Sequence, residues 1–206
     1  MSADTLWYLA RGSGTVSLIL LTVVVALGIG TRAGGSFAGM HRLVVTSVHR
    51  SAALLSVVFL AVHVTALKFD PYAQLKLVDL VLPFTSIYRP LWVGLGAVAL
   101  DLLLALMITS LLRERIGLRV WKAVHWLAYA IWPVALAHAI GSGSDRSAFW
   151  MLAIDAVCVL TVLGVLVSTH PVLRATVPSR TPESVPGSGA GRGLASSTPP
   201  SRRSSR

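Results

Sequence analysis

Five apolar runs, each long enough to cross a bilayer, constrain this sequence more than any other feature. They cover residues 14–30 (extendable back to Leu6), 44–67, 91–112, 120–140 and 149–169. A spanning helix needs about 20 mostly apolar residues. In lipid only helices and closed barrels satisfy every backbone polar group, and runs of this length read as helices. Charged residues are only 13% of the chain, against about 25% for a soluble domain. A water-soluble globule is therefore excluded. The expected fold is an all-α polytopic membrane bundle of about five transmembrane helices over residues 1–170. Residues 171–206 are rich in Pro, Ser, Gly and Arg, and that composition predicts a disordered tail.

The first run is read as a retained helix rather than a signal peptide. Arg11 is the only base before it, Asp4 is acidic, and the run exceeds a typical h-region of about 7–15 residues. The single Cys158 excludes a disulfide scaffold, an iron–sulfur site built from this chain alone and a Cys-based zinc site.

The chain carries 18 basic and 8 acidic residues, a net charge of +10. On a soluble protein this would suggest nucleic acid, but no nucleic-acid-binding fold is legible. On a membrane protein the same excess belongs to cytoplasmic loops and tails. Arg32, Arg42 and Arg50 follow the first run; Arg113, Arg115, Arg119 and Lys122 follow the third; Arg174, Arg180, Arg192, Arg202, Arg203 and Arg206 are in the tail. Arg11, Lys68, Lys76, Arg89 and Arg146 are left for the other side. The bias predicts a multi-pass protein of the cell membrane with its N-terminus outside and its tail cytoplasmic, the tail free to meet anionic lipid. The longest outer loop, residues 69–90, contains an amphipathic piece at 75–82 that Pro83 ends.

The histidines carry the chemistry. His49 and His63 lie in the second run, His125 and His138 in the fourth. Polar ionisable residues inside spans are costly and mark functional sites. One span lies between the two runs, so they cross in the same direction. His49 and His125 then share the inner end, and His63 and His138 the outer end. Residues 49 and 63 are separated by about 21 Å of rise and only ~40° of rotation, so they share a face. Residues 125 and 138 fall ~140° apart on an ideal helix. Pro133 lies between them, and a distortion there is expected to bring both rings to one face. Two stacked imidazole pairs suit two haems, each clamped between axial histidines. They are too far apart for one zinc ion. His41 and His170, at span ends, are read as interfacial residues.

These histidine spacings, with His49-Arg50 and His125-Trp126 at the inner ends, resemble the ferric reductase-like transmembrane domain. That family includes NADPH oxidases, ferric reductases and the haem-binding membrane subunit of the methionine sulfoxide reductase system. Softer similarities are Leu9-Ala10-Arg11-Gly12-Ser13-Gly14, Pro83-Phe84, Tyr88-Arg89-Pro90-Leu91-Trp92, Thr109-Ser110-Leu111-Leu112-Arg113 and Trp121-Lys122-Ala123-Val124-His125-Trp126. The resemblance spans roughly residues 6–169. It implies two haem b groups per chain, ligated by His49 with His125 and by His63 with His138, that carry electrons across the membrane. Many members have six spans, and five are counted here. No Gly-rich phosphate loop is present, so no flavin is expected on this chain. The donor is expected to be a separate flavin reductase or a quinol, and the acceptor an unidentified species on the outer side. The chain would then be an oxidoreductase component. Cytochrome b of the quinol complexes shares the four-histidine pattern and is the alternative within electron transfer. A small non-haem transporter or membrane scaffold is the alternative outside it.

Haem propionates need cations or donors. Arg50, next to a ligand, is the leading candidate, with Lys122 and Arg42 at the inner end and Arg11, Lys68 and Arg89 at the outer. Asp101 and Asp155 lie inside spans. They either hold the outer nitrogen of a ligating imidazole or join helices through hydrogen bonds, and the second is favoured. Trp7, Trp92, Trp121 and Trp150 fall at span ends, as an aromatic belt does. Phe59 and Trp132, at middle depth, are read as packing.

Overall fold

A computed structural model describes residues 3–32, 41–73, 75–143 and 147–169. The tail expected at 171–206 and His170 lie outside the described residues. Among the described residues seven helices follow one another: α1 (Ala3–Arg32), α2 (Arg42–Phe69), α3 (Leu77–Val81), α4 (Pro90–Leu111), α5 (Arg113–His125), α6 (Ala128–Ser142) and α7 (Phe149–Thr169). Helices α1, α2, α4 and α7 are each long and apolar enough to cross a membrane. Helices α5 and α6 pass the same test only as a pair, bent by 47°, which makes five spans if the pair is one. This is the architecture of a multi-pass membrane protein.

The interior is thin. Leu18, Leu136 and Cys158 form one buried cluster, and Val25, Ile29 and Val162 another. Leu54, Val58, Leu104, Leu160 and Val167 are exposed. Helices apolar on all sides belong in lipid, where outward-facing leucines and valines carry no penalty. Trp132 packs against both clusters, and its indole N–H donates to the Thr22 hydroxyl at 2.9 Å.

Two packed pairs organise the bundle. Helix α1 lies along α2, and α4 along α6, while α1 also reaches α6 and α7. Helices α2 and α6 make no extensive contact with each other. Space opens between the pairs: one cavity there is lined by residues of α1, α2, α4 and α6, and another by residues of α2 and α4.

The distortion expected at Pro133 is found elsewhere. Pro133 sits within α6, and the break falls at Trp126 and Leu127. There Leu127 N–H donates to Val124 at 2.9 Å and Ala130 N–H to Leu127 at 2.9 Å. These bonds three residues apart tighten the chain into a 3₁₀-like turn. The expected irregularity between His125 and His138 is real, but its cause is the tightened turn.

The 69–90 connection is tied down at several points. The Lys76 backbone N–H and the Thr85 hydroxyl donate to the Asp79 carboxylate at 2.9 and 2.8 Å. The same two donors hold that carboxyl below the usual carboxylate range. Lys68 donates to the Leu75 carbonyl at 3.1 Å. Arg89 takes a left-handed conformation (φ 43°) just before Pro90 opens α4. Its guanidinium donates to the Gly141 carbonyl at 2.9 Å, fastening the start of α4 to the end of α6. The piece expected at 75–82 is thus a five-residue helix with its acidic residue turned inward.

Candidate functional site

His63 and His138 meet. Their ring centroids are 6.3 Å apart, with the planes crossed at 83°. Each ring is anchored from behind. His63 Nδ1 bonds the Ala10 carbonyl of α1 at 2.6 Å, and His138 Nδ1 bonds the Trp92 carbonyl of α4 at 2.7 Å. A carbonyl only accepts, so Nδ1 carries the proton in both rings. Nε2 is left as the nitrogen with a free lone pair on each.

Both rings line a cavity of about 290 Å³. Gly14, Gly96, Leu60, Leu100 and Ala135 contribute its apolar wall, and Arg11 contributes a cation. Arg11 also lies over the rings of Trp7 and Trp150, at 5.1 and 5.6 Å. The cavity runs on to Asp70, Tyr72 and Asp79 in the connection after α2.

Of the other two histidines, His49 lies toward the opposite end of α2, and His125 is the last residue of α5, just before the bend into α6. His49 Nδ1 bonds the Val24 carbonyl at 3.0 Å. His125 lies within electrostatic range of His49 and Arg32, and its ring stacks on Trp121 at 4.9 Å. Its Nδ1 is buried without a hydrogen-bond partner among the described residues. The sequence pairing of 63 with 138 is therefore a ring-to-ring approach, and 49 and 125 are linked by an electrostatic interaction.

The cations divide unevenly. Arg50 is exposed on α2, as are Arg42 and Lys122. Arg32, at the end of α1, interacts electrostatically with His125, and its guanidinium lies 3.9 Å from the Trp126 ring centre. Lys68 and Arg89 are engaged with backbone carbonyls. Asp101 is half-buried in α4. Asp155 is buried, and its Oδ1 has no partner among the described residues. The atoms that hold the imidazole Nδ1 groups are backbone carbonyls, a role that side-chain reading could not have assigned.

Among the described residues no three His, Cys, Asp or Glu side chains converge on one point. A metal at either pair would have to bring its remaining ligands with it, as iron in a macrocycle does.

A family model described as "Ferric reductase like transmembrane component" matches residues 13–136. The matched stretch takes in His49, His63 and His125, and His138 lies just past its end. No curated protein and no solved structure matches the chain.

Proposed function

The chain belongs to the ferric reductase-like transmembrane component family, whose domain points to transmembrane electron transfer; from that premise we propose that it holds two b-type haems, one at each histidine pair, and passes electrons across the membrane between them. The observation that carries this reading is the crossed His63–His138 pair, each ring tethered through Nδ1 and facing a shared cavity.

The residues fit the group. His63 and His138, with ring centres 6.3 Å apart and Nδ1 engaged by backbone carbonyls, would hold a haem iron through their free Nε2 atoms. A hydrogen bond from the far nitrogen to a carbonyl orients a ligating imidazole and raises its basicity. The cavity wall is apolar, and Arg11 supplies a cation for an anionic propionate. At the other pair Arg32 interacts electrostatically with His125, and Arg50 is adjacent to His49 in sequence.

Haem supplies one-electron redox chemistry at each level. The chain's own part is to bind, orient and insulate. His49, His63, His125 and His138 supply Nε2 atoms at two depths, about 21 Å of helix rise apart. The lipid-facing leucines and valines keep the path dry. A quinol or a separate flavin reductase is the proposed donor at the His49–His125 end, and the proposed acceptor lies beyond the His63–His138 end.

Sealed vesicles loaded with ferricyanide and given external dithionite test the function. Vesicles carrying the protein should bleach the enclosed ferricyanide; equal bleaching in protein-free vesicles would contradict transmembrane conduction.

The positive-inside bias puts the Arg113–Arg119 end of α5 on the cytoplasmic side and the Asp70–Asp79 connection outside. Tyr72 and Leu118 are both well exposed. In a Cys158→Ser background, an impermeant maleimide applied to intact cells should label Tyr72→Cys and spare Leu118→Cys. The reverse pattern would invert the orientation.

A further inference from the structure

Three of the four membrane histidines are held by the same local device. In an α-helix the carbonyl of residue i already bonds the N–H of residue i+4, but it keeps a second lone pair. Side chains tilt toward the helix N-terminus, so the side chain at i+4 covers that lone pair. A glycine at i+4 uncovers it. His63 bonds the Ala10 carbonyl, and the residue four later is Gly14. His49 bonds the Val24 carbonyl, and four later comes Gly28. His138 bonds the Trp92 carbonyl, and four later comes Gly96.

The fit of ring to notch is graded. A Cβ on Gly14 would lie 2.7 Å from His63 Nδ1, and one on Gly96 would lie 2.6 Å from the His138 ring. A Cβ on Gly28 would lie 3.7 Å from the His49 ring, an ordinary contact. The fourth histidine has no notch. Fourteen residues beyond Trp92 and Gly96 along α4 stand Leu106 and Ser110. The Leu106 carbonyl takes the Thr109 hydroxyl at 3.1 Å, and the Ser110 hydroxyl takes the Trp121 indole N–H at 3.3 Å. His125 Nδ1 is left buried and without a hydrogen-bond partner among the described residues.

We propose that Gly14 and Gly96 are positioning residues that lock the His63–His138 pair by opening a backbone carbonyl to each Nδ1, that Gly28 does the same loosely for His49, and that His125 is the one ligand left without such a lock. The two levels are therefore unequal: one pair is doubly tethered, and the other is tethered on a single side. The part concerning metal ligation rests on the haem reading above; the tethering of Nδ1 does not.

The test measures haem per polypeptide in purified full-length variants. Gly14→Ala and Gly96→Ala should each drop the content from about two to about one, because the added methyl displaces the ring. Gly12→Ala and Gly164→Ala are controls, since a Cβ at either meets nothing within 4 Å. Two haems retained by Gly14→Ala and Gly96→Ala, or a loss in the controls as large as in those variants, would overturn the proposal. If the variants fail to fold, the unaltered protein decides. Nitrogen-15 histidine spectra of its dithionite-reduced form should show strongly hydrogen-bonded Nδ1–H groups for His49, His63 and His138 but not for His125. Four such groups, or none, would overturn it. A chain that purifies without haem would contradict the haem reading; the same spectra, recorded without reductant, would still be expected to show Nδ1–H in those three rings.

Discussion

Replacing His63 or His138 with alanine should halve the haem content, and the two variants should look alike. Each ring is one of two that face each other across 6.3 Å. Neither has a neighbouring His, Cys, Asp or Glu cluster that could take its place among the described residues. Loss of one axial nitrogen leaves the partner as a single ligand in an apolar cavity, where a haem is weakly held. The double variant His63→Ala/His138→Ala should lose no more than either single one, because the two residues act as a unit. Haem content measured by pyridine haemochrome checks this. Full loss of both haems in one single variant would mean that the two levels are not independent, and full retention would remove His63 or His138 from the ligand set.

The other pair should behave asymmetrically. His49→Ala removes a ring tethered to Val24 at 3.0 Å and should abolish that haem. His125→Ala should also lose the haem, yet with less disturbance of the fold, since its Nδ1 has no hydrogen-bond partner to lose among the described residues. In both variants the His63–His138 haem should remain and stay reducible by dithionite. Electron transfer from a donor at the basic end should fall to background, because the first carrier is missing. Vesicle conduction with each variant checks the direction: a variant lacking the His49–His125 haem that still conducts at the parental rate would contradict the two-level path.

Much of this arrangement was legible in the sequence because lipid imposes strict rules. The five apolar runs map onto α1, α2, α4, the α5–α6 pair and α7, since no other structure hides that many backbone groups in hydrocarbon. The approach of His63 to His138 followed from span direction and rise per residue. The position of the bend did not. Proline is the visible helix-breaker, but the turn at Trp126–Leu127 is made by backbone bonds that no residue type announces. The anchoring of the imidazoles was missed for a related reason: the acceptors are carbonyls, which every residue has. A signal was nonetheless present. Gly14 and Gly28 are spaced 14 apart on α1, as His49 and His63 are on α2, and two antiparallel helices bring matching spacings into register. Arg32 was grouped with a loop because its place at the end of a 30-residue α1 cannot be read from a run of apolar residues that stops before it.

The most direct measurement of the central claim is the haem-to-polypeptide ratio of the purified, unaltered chain, taken together with its reduced-minus-oxidised spectrum. The two histidine pairs predict a ratio near two with b-type bands throughout. A ratio of one would leave only the tightly tethered His63–His138 pair as a haem site, and a ratio of zero would contradict the account.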